Sequence, residues 1–81
     1  MRTILILKKI VEILFVKGNL TVPQIQYQLK KLCGITVHQK QILTIIGQHS
    51  EIFDIIRERG QADVILTPQY RNLIESENSN K

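Results

Sequence analysis

The chain has 81 residues, of which 43% are hydrophobic and 22% are charged, and its formal net charge is +4. This composition excludes a disordered chain, and this length excludes more than one domain of ordinary size. The positive charge is concentrated in residues 17–50, which hold lysines but no acidic residue, whereas residues 51–81 carry an excess of carboxylates. Such a cationic block favours a surface that meets an anion, although an ordinary solvated face would have the same composition.

The first predicted element is a helix over residues 3–16. Its apolar residues cover most of the helix circumference, and they leave a narrow polar strip of Lys8, Lys9 and Glu12. The apolar run of residues 4–16 is shorter than the ~20 residues that a bilayer span requires. We therefore expect a buried helix that ends at Gly18 and does not enter a membrane.

A second helix is predicted after a short strand at residues 19–21. Thr21 followed by Gln24 is a capping-box pattern, and Pro23 suits the first turn because its missing N–H is not needed there. Gly34 is expected to end the helix. One face is predicted to be apolar and to contain Ile25, Leu29 and Leu32. The opposite face carries Tyr27, Lys30 and Lys31.

A third helix is predicted over residues 37–49, because the capping pattern recurs at Thr36 and Gln39. Only the residues Cys-Gly-Ile separate it from the second helix, a spacing typical of a helix-turn-helix. We expect its apolar face to contain Ile42, Leu43, Ile45 and Ile46. At about 100° per residue, the solvent-facing side holds Lys40, Gln41, Thr44, Gly47 and Gln48.

A β-hairpin with a glycine-containing turn is predicted over residues 53–66. A two-residue loop at residues 60–61 would place Glu58 opposite Asp63, an unfavourable pair of like charges. A three-residue loop would instead place Arg59 opposite Asp63, which would neutralise this arginine. Both registers remain open at this point.

The chain is predicted to end in a short helix. Thr67 is a suitable N-cap, Pro68 a suitable first residue, and the helix is expected to reach about Glu75. We therefore expect one domain over residues 1–76, followed by a disordered polar tail at residues 77–81.

This order of elements resembles the winged helix-turn-helix family over nearly the whole chain. The resemblance is carried by "LTVPQIQYQLKKLCGITVHQKQILTIIG" as the helix-turn-helix, by "FDIIRERGQADVIL" as the hairpin, called the wing, and by "LTPQY" after it. It implies an α+β fold that is mostly α, with a three-helix core, a β-hairpin wing and a short C-terminal helix.

In the DNA-binding members of this family, the third helix enters the major groove and the wing contacts phosphates or an adjacent groove. By this resemblance, base contacts would come from Lys40, Gln41, Thr44 and Gln48. The chemistry agrees, because Gln pairs with adenine, Lys reaches guanine or phosphate, and Thr touches a thymine methyl. Val37, expected on the same face, would contact another thymine methyl.

Phosphate contacts are expected from two places. Arg57 and Arg59 are predicted to share one face of a wing strand, because they lie two residues apart. On the second helix, the residues of phosphate-contacting type are Tyr27, Lys30 and Lys31.

Other chemistries are not indicated by the sequence. His38 and His49 would lie three turns apart on the predicted helix, about 16 Å, which is too far to share a metal ion. We expect both histidines and the single cysteine, Cys33, to be structural. No phosphate-cradling glycine loop and no nucleophile motif are present, so we expect no catalysis, cofactor or small-molecule substrate. A lone cysteine also favours a reducing, cytoplasmic location.

The sequence therefore suggests a small transcriptional regulator that binds double-stranded DNA. We expect a homodimer through the first helix and residues 68–75, because the first helix has more apolar surface than one small core covers. The alternative is a protein-docking winged helix in a replication, transcription or membrane-remodelling complex, with the first helix or Ile56 as the contact surface. RNA binding is disfavoured, because only Tyr27 offers an aromatic ring for stacking on the basic surface.

Overall fold

The structure is a computed structural model that describes residues 2–79, with the side chains of residues 3–77. The chain adopts an α+β fold, mostly α, with the winged-helix-like layout that the sequence predicts. Its elements are α1 (Arg2–Lys17), β1 (Leu20–Thr21), α2 (Val22–Cys33), α3 (Gln39–Gln48), β2 (Phe53–Glu58), β3 (Gln61–Leu66) and α4 (Pro68–Ser79). The antiparallel sheet has the strand order β1-β3-β2, so β2 lies at an edge.

The hydrophobic core lies where the first three helices meet one face of the sheet. Ile45 and Ile46 of α3 are buried, as predicted. The side chains that are almost wholly buried come from every helix of the core and from β3, and they are Ile10, Leu14, Ile25, Leu29, Ile42 and Val64.

Two leucines that were predicted to lie on apolar faces are exposed instead. Leu32 is 57% exposed, because the buried residues of α2 end one turn earlier, at Leu29. Leu43 is 49% exposed, because it lies about 100° around the helix from the buried Ile42. An apolar residue therefore stands on the solvent side of α3.

The ends of α2 follow the local chemistry that the sequence predicts. The backbone N–H of Thr21 donates to Oε1 of Gln24 at 2.9 Å, and the backbone N–H of Gln24 donates to Oγ1 of Thr21 at 3.3 Å. At the other end, Gly34 has a φ of 67° and donates its N–H to the carbonyl of Lys30 at 3.1 Å. A side chain would be unfavourable at this φ, which is why the helix ends at a glycine.

The third helix begins two residues later than predicted. Its N-cap is His38 rather than Thr36, and the backbone N–H of His38 donates to Oε1 of Gln41 at 3.0 Å. This start forms a hydrophobic staple, because it places Val37 before the cap and Ile42 at the fourth helical position, and both are buried. A cap at Thr36 would put a lysine at that fourth position.

Val37 is 5% exposed, so its predicted contact with a thymine methyl is wrong. The linker between α2 and α3 spans residues 34–38, longer than the predicted turn, because an extended stretch carries Val37 into the core. Gln26 of α2 holds this linker in place. Its Nε2 donates to the carbonyl oxygen of Val37 at 2.8 Å, and its Oε1 accepts from Nε2 of Gln39 at 3.3 Å.

The wing adopts neither of the two registers that the sequence left open. Glu58 pairs with Gln61, so the loop consists of Arg59 and Gly60 alone. Their φ angles are 52° and 75°, both positive, as a type I′ turn requires. Asp63 lies opposite an isoleucine of β2 and faces neither Glu58 nor Arg59 across the hairpin.

The last helix is longer than predicted. Its N-cap is Thr67, as expected, whose Oγ1 accepts from the backbone N–H of Tyr70 at 3.4 Å. The helix then continues to Ser79, beyond the predicted end near Glu75, so residues 77–79 are helical and not part of a disordered tail. Residues 80–81 of that predicted tail lie outside the described residues.

Arg71 attaches α4 to the C-terminal end of α1. Its Nη2 donates to the carbonyl oxygens of Leu14 and Phe15, at 3.3 Å each, and its guanidinium lies 4.9 Å from the ring centroid of Phe15. The last carbonyls of a helix carry partial negative charge. A cation at this position therefore satisfies the end of α1 while it fixes the start of α4.

We predict that Ile46→Ala lowers the free energy of unfolding by about 2–5 kcal/mol, because it removes a large side chain from the buried face of α3. Leu43→Ala in the same helix is the matched control, and we expect it to cost less than about 1 kcal/mol. Chemical denaturation measures both values. Equal losses for the two variants would mean that α3 is rotated about its axis.

We predict that Arg59→Asn stabilises the protein by up to about 1 kcal/mol, because asparagine tolerates the left-handed conformation that arginine adopts here at a cost. Gln61→Asn, in the adjoining strand, should give no such gain. Thermal unfolding of both variants distinguishes the outcomes. A loss of stability in Arg59→Asn would contradict the type I′ loop.

Candidate nucleic-acid interface

The solvent-facing side of α3 presents four exposed residues at helical spacing, which we call the α3 stripe: Lys40, Leu43, Thr44 and Gly47. Open space surrounds the position that a Cβ would take at Gly47. The Thr44 hydroxyl donates to the carbonyl oxygen of Lys40 at 2.9 Å, so its proton is used within the helix. Lys40 and Thr44 were predicted as base contacts, and Gly47 was expected on the same side of the helix. The structure adds Leu43 to this surface.

The other two predicted base-contact residues, Gln41 and Gln48, flank the stripe on the side of α1. Together with Thr3 and Ile6, they line a groove of about 640 Å³ between the two helices. Oε1 of Gln41 already accepts the N–H of His38. A bidentate contact with adenine uses both amide atoms, so Gln41 would have to release its cap to make one.

The second helix adds a basic and aromatic surface beside the linker. Tyr27 is 59% exposed, and Nζ of Lys31 lies 5.6 Å from the centroid of its ring. Lys30 is exposed on the same helix, and with Tyr27 and Thr36 it lines a shallow groove of about 310 Å³. The structure thus brings the three predicted phosphate-contact residues of α2 together, next to the start of α3.

The wing separates its charges between the two faces of the sheet. Side chains alternate along a strand, and directly paired residues of antiparallel strands point to the same side. Arg57 therefore lies on the side of the buried Phe53, which faces the helices. The carboxylates of the wing point to the opposite side, and they are Asp54, Glu58 and Asp63.

Two of these carboxylates already have donors within the wing. Oδ1 of Asp54 accepts the backbone N–H of Ile55 at 2.8 Å, and Oδ1 of Asp63 accepts Nε2 of Gln61 at 3.0 Å. Arg59 lies in the loop beyond the end of β2. The prediction that Arg57 and Arg59 share one face of a strand is therefore wrong. Arg59 is exposed and is not neutralised by Asp63.

The cations of the candidate interface have no carboxylate partner among residues 3–77. The ion pairs within that part of the chain join Lys9 to Glu12 at 3.2 Å and His49 to Glu51 at 3.5 Å. The exposed cations of the candidate interface that these pairs leave without a carboxylate partner are Lys30, Lys31, Lys40, Arg57 and Arg59.

Sequence reasoning missed two kinds of residue at this site. Leu43 was assigned to the core because it is apolar, and Gly47 was given no role. A glycine near the end of a helix that it does not terminate is a recognisable signal, since it costs about 0.5–1 kcal/mol relative to alanine. Gln26, which fixes the linker before α3, carries no signal in the sequence because its partners are more than ten residues away.

The described part of the chain contains no group of three or more His, Cys, Asp or Glu side chains that could hold a metal ion. His38 is exposed at the cap of α3, and His49 is half-buried beside Glu51. Over residues 2–79, no helix has both the length and the apolar character to cross a membrane.

No protein-family model matches the chain, and comparisons with curated proteins and with solved structures likewise gave no match.

Proposed function

We propose that this chain is a non-catalytic, cytoplasmic protein that binds double-stranded DNA and regulates transcription. In this proposal α3 enters the major groove, and the α3 stripe meets base edges. The basic residues of α2 and of the wing contact phosphates on either side. These separate roles follow the general pattern in which phosphate contacts position a protein on DNA and base contacts specify its site.

The observation that carries the proposal is the segregation of charge. The exposed lysines around the linker, Lys30, Lys31 and Lys40, have no carboxylate partner within residues 3–77. The carboxylates of the wing lie on the face of the sheet that points away from the helices. A polyanion could thus approach α2, α3 and the wing arginines without meeting these carboxylates.

We propose further that the protein is a homodimer through α1 and α4. Between these helices lies an apolar groove of about 560 Å³, to which Leu7, Val11, Tyr70 and Ile74 contribute. Ile4 and Leu5, which also line this groove, are each at least 50% exposed, and so is Leu73 of α4. A two-fold dimer would present two copies of α3 to two half-sites. Ile6 belongs to the core and is not available for this contact.

A protein-docking module is the second candidate, and the outer face of the wing favours it. Ile56 and Ile65 are only partly buried there, and acidic residues surround them. A basic partner protein would fit this face, whereas DNA would be repelled by it. The two candidates therefore use opposite faces of the sheet.

We predict that Lys30→Ala, Lys31→Ala and Arg57→Ala each weaken binding to all duplex sequences alike. Each variant should also reduce the slope of log affinity against log salt by about 0.9 per bound chain, because one counterion fewer is released. Arg59→Ala should behave in the same way, since Asp63 does not hold this arginine. A salt titration with random-sequence duplex DNA measures all four slopes.

The matched control for this titration is Lys9→Ala, because Lys9 is paired with Glu12 on α1. It should leave the slope unchanged. Sedimentation of this variant checks that it remains dimeric, since Lys9 also lines the groove between α1 and α4. If the unmutated protein has no measurable affinity for duplex DNA at ~50 mM salt, where non-specific binding is strong, the cationic block is not a DNA-binding surface. The docking module would then be the better interpretation.

We predict that sedimentation at micromolar concentration gives twice the chain mass of 9.4 kDa. Leu5→Glu and Leu73→Glu should each give a folded monomer, because both side chains are exposed at the proposed interface and neither belongs to the core. Val16→Glu, at the other end of α1, is the control and should remain dimeric. A monomeric unmutated protein would contradict the dimer.

A further inference from the structure

We propose that the α3 stripe selects A·T base pairs through the C5-methyl group of thymine, with Leu43 as the contacting residue and Gly47 as the position that permits close approach. This inference rests on the proposed DNA binding and specifies which bases α3 recognises. It concerns a residue that the sequence pattern assigned to the core and that the structure places in solvent.

Leu43 has no packing role that would explain its identity. It is 49% exposed and is not among the partly buried hydrophobic residues that pack against the core. A single exposed leucine is ordinary in a folded protein, so exposure alone carries little weight. Its position adds weight, because it lies on the exposed side of α3, one turn from Lys40.

Gly47 lies one turn after Leu43 on the same stripe. Its φ is not positive, and an added Cβ would meet nothing within 4 Å. Neither the backbone nor the packing of this chain therefore requires a glycine there, although alanine would suit the helix better. The missing side chain leaves room beside Leu43 for an external surface to reach the helix backbone.

The dimensions of the stripe suit a major groove. From Lys40 to Gly47 the helix rises by about 10 Å, at ~1.5 Å per residue, which corresponds to about three base pairs at ~3.4 Å each. Leu43 and Thr44, which carries a methyl group, are both exposed on this surface. Apolar groups in the major groove find one apolar partner on a base edge, the thymine methyl.

The polar residues of α3 also favour A·T base pairs. The helix contains neither an acidic residue, which would accept from cytosine, nor an arginine, which pairs best with guanine. Gln48 is exposed beside the stripe and is suited to adenine, the partner of thymine. Lys40 is the one residue of the stripe that can reach guanine or a phosphate.

The test compares three 24-base-pair duplexes at the same salt concentration: alternating dA-dT, alternating dA-dU, and alternating dG-dC. Uracil lacks only the C5-methyl group of thymine and keeps its hydrogen-bonding pattern. We expect affinity for the dA-dT duplex to exceed that for the dA-dU duplex by about three- to fivefold for each methyl group buried. The dG-dC duplex should bind still more weakly.

Variants identify the residue responsible. Leu43→Ala should lose most of the preference for the dA-dT duplex over the dA-dU duplex, with an unchanged salt slope. Leu32→Ala, which removes a similarly exposed leucine from α2, should keep the preference. Gly47→Ala should keep or raise the thermal midpoint and yet bind the dA-dT duplex several-fold more weakly, a combination that a purely structural role for Gly47 would not give.

Equal affinity of the unmutated protein for the dA-dT and dA-dU duplexes would overturn this inference and leave the proposed DNA binding intact. A preference for thymine that Leu43→Ala leaves undiminished would overturn the assignment to this residue. Absence of binding to all three duplexes at ~50 mM salt would overturn the proposed function as well, since non-specific affinity is strong at that concentration.

Discussion

The burial of Val37 is the constraint on which the geometry of the candidate interface depends. Its side chain enters the core, and Gln26 holds its carbonyl from α2. Helix α3 can then begin only after Val37, with His38 as its cap. Because each residue turns the helix by about 100°, the starting residue determines which side chains meet solvent. A single apolar residue in the linker thus orients the whole exposed face of α3.

A second contact joins α4 to the C-terminal end of α1, and it is polar where the rest of the core is apolar. Arg71 lies on the terminal carbonyls of α1 and on the ring of Phe15. Among residues 68–77, whose side chains the structure describes, none is buried, and Tyr70 and Ile74 are the hydrophobic residues that pack partly against the core. The position of α4 therefore depends on a charged contact with α1, and the groove between these helices depends on it too.

The sequence predicted those features that arise from interactions a few residues apart. The caps at Thr21, Gly34 and Thr67 are of this kind, because each is decided by a side chain or a backbone angle in its own turn. The start of α3 was predicted wrongly, because Thr36 and His38 each have a glutamine three residues later. Only packing in three dimensions favours His38.

The same limit explains the errors in the wing and in the candidate site. A loop at Arg59 and Gly60 requires an arginine in a conformation that such residues rarely adopt, and strand pairing imposes it. The exposed lysines were predictable, because charged residues stay in solvent wherever a helix has an apolar side. The exposure of Leu43 was not predictable, since hydrophobicity alone does not reveal which apolar residue lies outside the core.

The hydrogen bond from the backbone N–H of Ile55 to the Asp54 carboxylate affects whether copies of this protein can pair through their sheet edges. In the antiparallel register the N–H of Ile55 points away from β3, along the open edge of the sheet, and the Asp54 carboxylate occupies it. An open edge otherwise offers a template to which a neighbouring chain can add a strand, the first step of fibril formation. The carboxylate both blocks that donor and repels an identical strand, so a concentrated solution should resist growth of continuous sheets.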